Sequence, residues 1–193
     1  RGPVNLHLPS LLDVHRRLAV WSDPFDNAVR EEVGIALPLY ALGQDHGTRV
    51  LIVVPNTWES RYRRETIERY LRNPGIRRVF PSLRLKHVQH KTSARWGVLT
   101  VERPNLLRDP SLLIVAPGEP LAGYHFDLIV FEGLSFNGMP RRRKIAWCRH
   151  ALSRLCLAGR VIGVDRPAKI DRQAGALEQL AVCGGWRCLE AGR

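Results

Sequence analysis

The stretch RVLIVVPNTWESRYRRETIERYLRNPG, residues 49–75, passes from one periodicity to another at a single proline. Val50 to Val54 is an unbroken run of branched aliphatic residues, apolar at every position, which fits a strand covered on both faces. After Pro55 the pattern changes. Asn56 is a good helix cap with Glu59 three residues on, and Trp58, Tyr62, Ile67, Tyr70 and Leu71 follow at helical spacing. Asn73, Pro74 and Gly75 then end the helix. A doubly covered strand feeding a helix predicts an α/β chain rather than an all-β or all-α one.

Working outward, the same kind of aliphatic run returns as SLLIVA (111–116), DLIVF (127–131) and RVIGV (160–164). Upstream, NAVREEVGIALPLYALGQDHG (27–47) reads as a buried helix that Pro38 should kink or delay. Downstream, RRRKIAWCRHALSRLCLAG (141–159) reads as a helix with Ile145, Cys148, Leu152 and Leu155 on one face and Gly159 as its stop. The alternation in RWGVLTVER (95–103) predicts a strand in a hairpin on the sheet edge. The expected fold is a single α/β domain over residues 1–193, three-layered, with a mostly parallel sheet and helices on both faces.

Composition supports a globular chain, with 45% hydrophobic and 25% charged residues among 193. No apolar stretch approaches the ~20 residues that span a bilayer, and RGPVNLHLPS at the start has no apolar core. A soluble, intracellular protein without a membrane partner is expected. Arg1 comes first and Met139 is the only methionine, so the chain reads as a piece of a longer product. Thirty Lys and Arg against eighteen Asp and Glu give a net charge of +12. Such a balance favours a polyanionic partner, although arginine-rich codon usage would produce the same count. The cysteines Cys148, Cys156, Cys183 and Cys188 form no CxxC pair, so reduced thiols in or near the core are expected. His87 and His90 have no acidic partner nearby and read as surface residues. No Ser-His-Asp order, HExxH or GxGxxG is present.

In an open α/β sheet ligands gather at the carboxyl ends of the strands, here Pro55–Thr57, Glu132–Ser135 and Asp165–Pro167. FDLIVFEG (126–133) ends there in one carboxylate, Glu132, which by itself is a rim residue or half of an acidic site. Asp127, at the strand's start, reads as capping a turn at the far edge. The basic run Arg141, Arg142, Arg143 and Lys144 opens one helix, and Arg61, Arg63 and Arg64 crowd another around Tyr62. Each group is either a solvated face or a contact to a nucleic-acid backbone. The phosphate cradle GxxxxGK[ST] is missing, and the dipeptide Gly-Lys occurs nowhere.

The order of these segments over about residues 28–190 resembles the ATPase domain of the large terminase subunit of tailed bacteriophages, the motor that pumps DNA into proheads. The likeness runs from the strand and helix ending at Asn-Pro, through the tryptophan-led edge segment and the block ending in FDLIVFEG, to the basic helix and GVDRP. It implies a P-loop NTPase-like fold, Mg²⁺ and ATP as cofactors if the site survives, DNA, portal and small terminase as partners, and the host cytoplasm as location. It puts Arg30 at the start of the phosphate loop and Gly34 on its last glycine, with Ile35 and Ala36 replacing the lysine and hydroxyl. Arg30 would then stand in as a charge clamp. Glu132 falls on the metal-binding acid and serves as the candidate catalytic group, Gly133 falls on the catalytic carboxylate, and Asp165 falls in the coupling segment. A nuclease domain, usual in the family, is not expected within these residues. The expected function is a packaging-type domain with a degenerate nucleotide site. The alternatives are an unrelated basic nucleic-acid-binding module and a generic α/β small-molecule enzyme.

Overall fold

Every aliphatic run becomes a strand of one sheet. The computed structural model describes residues 17–21, 27–86, 97–103, 109–121, 123–133, 139–165 and 187–190. Within them β1 (Arg17–Trp21), β2 (Val50–Val53), β3 (Val98–Leu99), β4 (Leu112–Val115), β5 (Phe126–Glu132), β6 (Leu155–Asp165) and β7 (Arg187–Glu190) lie in the order β3-β4-β2-β5-β6-β1-β7. All neighbours are parallel except β3, which runs antiparallel to β4 on the edge, where the alternation in RWGVLTVER predicted a strand. His87, His90 and Cys183 lie outside the described residues. Cys148 is a buried free thiol and Cys156 a partly buried one.

Alternation along the strands divides the core in two. Val50, Ile52, Leu128, Val130 and Ile162 pack against Val29, Val33, Ile67 and Leu71. Leu51, Val53, Ile129, Phe131 and Val161 pack against Cys148 and Ala151 on the other face. The first set of helical residues belongs to α1 (Asn27–Glu31), the π-helical turn Glu32–Ala36 that follows it, and α3 (Thr57–Arg72). The second belongs to α5 (Arg141–Leu152). Helices therefore cover both faces, giving the three layers expected.

Local chemistry explains the helix boundaries. Asn56 accepts a hydrogen bond from the Glu59 N–H at 2.9 Å and starts α3. Asn73 ends α3 and, accepting from the Gly75 N–H at 2.7 Å, begins α4 (Pro74–Val79). Pro38 does not delay its helix, which is already formed from Asn27 and continues as α2 (Leu37–Gln44). The irregularity falls upstream, where the Leu37 N–H donates to the Glu32 carbonyl, five residues back, in the π turn.

Two helix readings need correction. α5 ends at Leu152, and Leu155 and Gly159 belong to β6, because Leu155 pairs with Phe126 and packs on the second core cluster. The register then shifts, with Leu128 opposite Arg160. On α3 the inward residues are Ser60, Arg63, Ile67 and Leu71, whereas Trp58, Tyr62 and Tyr70 are exposed. Of the five residues at helical spacing, Ile67 and Leu71 face the core and the three aromatic ones do not.

Candidate functional site

Glu132 ends β5 on the same face as Leu128 and Val130, beneath the helices of the first layer. It has no solvent exposure, and Arg63, 4% exposed on the inner stripe of α3, donates from Nη2 to Oε2 at 2.6 Å. From above, the π turn closes on the other oxygen: a Cβ at Gly34 would overlap Glu132 Oε1. Glycine is required here for close approach of backbone to carboxylate. Burial pushes the Glu132 carboxyl above its usual range, with the charges of Arg63 and Arg30 opposing. Oε1, and Nε of both Arg63 and Arg30, are buried without a hydrogen bond among the described residues.

The structure thus brings Arg30, Gly34 and Glu132 together, but not as a loop facing an acid. Arg30 lies in α1 and Gly34 in the π turn, both within a helix. Placing a phosphate loop at these residues is therefore corrected. In the strand–loop–helix arrangement that cradles phosphate, the loop follows the strand directly. Here the connection from β1 to α1 is residues 22–26, SDPFD, which lies outside the described residues and contains two carboxylates and neither glycine nor lysine.

Nor do the described residues fit Mg²⁺. One Glu132 oxygen is held by Arg63, the other is covered by Gly34, and no group of three or more His, Cys, Asp or Glu converges among them. Gly133, in the position read as the catalytic carboxylate, has φ +55° and donates its N–H to the Val164 carbonyl at 2.8 Å. A residue with a side chain would be strained at that φ.

The basic groups separate likewise. Arg61 is exposed and paired with Glu65 at 3.1 Å, and Arg64 is partly buried and paired with Glu68 at 3.3 Å. Arg63 is corrected as a nucleic-acid contact, because its guanidinium is committed inside the fold. Lys144 is corrected because it is buried on the inner side of α5. Arg142 and Arg143 are exposed. Arg141 opens α5, and Asp165 ends β6 opposite Trp21; their side chains lie outside the described residues. The sequence reading missed the partnership of Arg63 with Glu132, although stepping back by fours from Leu71 through Ile67 reaches Arg63.

At the other end of the sheet, Asp127 accepts from the Arg49 backbone N–H, Nε and Nη2, each at 2.9 Å. Arg49 also reaches Asp109 at 3.0 Å and Cys156 Sγ at 2.8 Å. Asp127 lies at the N-terminal end of β5 as expected, but there it anchors Arg49, on the approach to β2, and caps no turn among the described residues.

The sheet order and the helices packed on both faces define a three-layer, mostly parallel α/β domain. The chain is similar to the large terminase ATPase domain of Thermus phage P74-26, with a TM-score of 0.62, covering 97% of this chain and 80% of that one at 11% identity. It is also similar to the large terminase of a thermophilic bacteriophage, with a TM-score of 0.54 and 11% identity, covering 96% of this chain and 44% of that one. The chain therefore spans less than half the length of the second protein. No protein-family model and no curated protein sequence matches it. At this identity the likeness establishes the fold.

Proposed function

We propose that this chain is a terminase-type domain of a DNA-packaging system that engages DNA and packaging partners without hydrolysing ATP. The carrying observation is the ion pair of Arg63 with Glu132, sealed by Gly34. A carboxylate that must bind Mg²⁺ has to present oxygens to an opening, whereas this one already has a fixed positive charge and no exposure. The absence of glycine and lysine between β1 and α1 supports the same reading from the phosphate side. The net charge of +12 supports the DNA partner, and the terminase fold supports a packaging setting with portal and small terminase subunits as further partners.

Purified protein is expected to show no ATP turnover with or without duplex DNA, and no thermal stabilisation by Mg²⁺-ATP. Saturating duplex DNA is expected to raise Tm, because a ligand that binds only the folded state at ~100 times its Kd adds about 2.7 kcal/mol. DNA-stimulated hydrolysis abolished by Glu132→Gln would overturn the proposal.

A further inference from the structure

Between Arg69 and Lys86 the chain carries six cationic side chains, Arg69, Arg72, Arg77, Arg78, Arg84 and Lys86, and no carboxylate. All six are exposed. Arg72 pairs with Glu68 at 2.7 Å, while the other five side chains have no hydrogen bond or ion pair among the described residues.

The fold gathers these charges at one end of the molecule. α3 leaves the C-terminal rim of β2 and runs back along the sheet, so Arg72 stands ~13 Å along the helix axis from Arg63. α4 follows, and the chain then joins the sheet edge, where Leu85 bridges Val101 and the Lys86 N–H donates to the Thr100 carbonyl at 2.8 Å. An open groove of about 470 Å³ cuts into this end, lined by His46, Pro81, Ser82, Arg84, Glu102 and Arg103. In its wall His46 Nε2 and Ser82 Oγ lie 3.0 Å apart. Arg103 is braced by the Ser111 hydroxyl and the Asp109 carbonyl.

Exposed like charges along one such stretch repel one another, and a partner of opposite charge relieves the repulsion. We propose that this end, from the last turn of α3 through α4 to Lys86, is the surface on which the chain docks the phosphate backbone of duplex DNA. The inference rests on the DNA reading above and goes beyond it by assigning the surface. Arginine forks match phosphate oxygens in pairs, and Arg84 extends the patch to the groove. The duplex is favoured over a single strand because single-strand sites stack bases on aromatic rings. The exposed stacked pair here, Trp58 and Tyr62 with ring centroids 5.7 Å apart, begins ~20 Å up the helix from Arg72, and within the patch Tyr70 is a single exposed ring with no aromatic partner to stack bases beside it among the described residues. The surface is separate from Arg142 and Arg143, which open α5 on the opposite face of the sheet.

The test measures fluorescence anisotropy of a labelled random-sequence duplex against salt. It compares the wild-type chain, the triple variant Arg77→Glu, Arg78→Glu, Arg84→Glu, and the control Arg142→Glu, Arg143→Glu. The triple variant should lose at least about tenfold in affinity and flatten the log–log salt slope by about three, one unit per lost phosphate contact. The control should bind within about twofold of wild type, since a surface away from the contact leaves the phosphate count unchanged. Should the triple variant unfold, the same arginines replaced by Gln provide the readout. If the triple variant binds like wild type, the surface assignment fails while the DNA reading stands. If single strands or anionic vesicles bind more tightly than the duplex, the partner is misassigned. If wild type binds no duplex at low salt, the DNA reading fails first and this inference with it.

Discussion

β5 carries a carboxylate near each end, and the two differ in almost every respect except that both are met by an arginine. Asp127 keeps 35% of its side chain exposed and receives Arg49 from the start of β2. Burial alone would raise its carboxyl, but the hydrogen bonds and charge of Arg49 outweigh this and hold it below the usual range. Glu132 has no exposure, and there burial outweighs Arg63 and Arg30, so its carboxyl is pushed up. The difference lies in the balance: at Asp127 the bonds from Arg49 outweigh partial burial, and at Glu132 complete burial outweighs the charges of Arg63 and Arg30. It also separates the roles: the Asp127 end is an anchor of ordinary strength, and the Glu132 end is a closed polar core at the carboxyl end of the strand.

The largest effect should come from breaking the closed pair. Arg63→Met leaves a buried carboxylate with no bonded partner, and such losses run to ~3–5 kcal/mol. The double variant Arg63→Met, Glu132→Leu removes both charges and should recover most of that stability, since replacing a buried pair by apolar groups of similar size is often neutral or better. Urea unfolding of the two variants against wild type checks this. A double variant as unstable as the single one would show that the pair is not the isolated unit its geometry describes.

A smaller effect is expected at the anchor. Arg49→Gln removes charge-assisted hydrogen bonds at a site that water partly reaches, and should cost about 1–2 kcal/mol. Acid distinguishes the two ends by sign. Asp127 has a depressed folded-state pKa, so its stabilisation is present above the ordinary Asp range and is lost as pH falls through that depressed value. Glu132 has a raised one, so its contribution is fully present below the ordinary Glu range and is lost as pH rises through the folded value. Asp127→Asn should therefore flatten the fall of Tm below about pH 4, and Glu132→Gln should not. Equal flattening by both would erase the contrast.

The sheet was legible because burial on both faces is written locally, as aliphatic runs with no polar alternation, and the α3 cap needs only Asn56 and Glu59. The site was legible only as a neighbourhood. That Gly34 and Glu132 belong to one site followed only from the resemblance, and that they form a closed contact depends on how closely two layers pack, which no local pattern encodes. Spacing alone does not separate a phosphate-loop glycine from one whose small size admits a carboxylate beneath it, and Gly34 does the second. α5 was carried too far because LCLAG is apolar enough for either helix or strand, and pairing with Phe126 decided it. On α3, three aromatic residues outweighed the spacing that turns Arg63 inward.

That last misreading gives the finest test, between two arginines two residues apart. Successive helix positions turn by about 100°, so Arg61 and Arg63 point some 200° apart. Arg61 and Glu65 form a pair whose side chains are 81% and 56% exposed. Water and salt screen such a pair, and holding two long side chains in register costs entropy, so Arg61→Ala should stay within about 0.5 kcal/mol of wild type. Arg63→Met on the same helix should cost several times more, although both changes remove one positive charge from one ion pair. If the two substitutions destabilise equally in urea, the inner face of α3 has been misassigned, and the closed contact at the end of β5 goes with it.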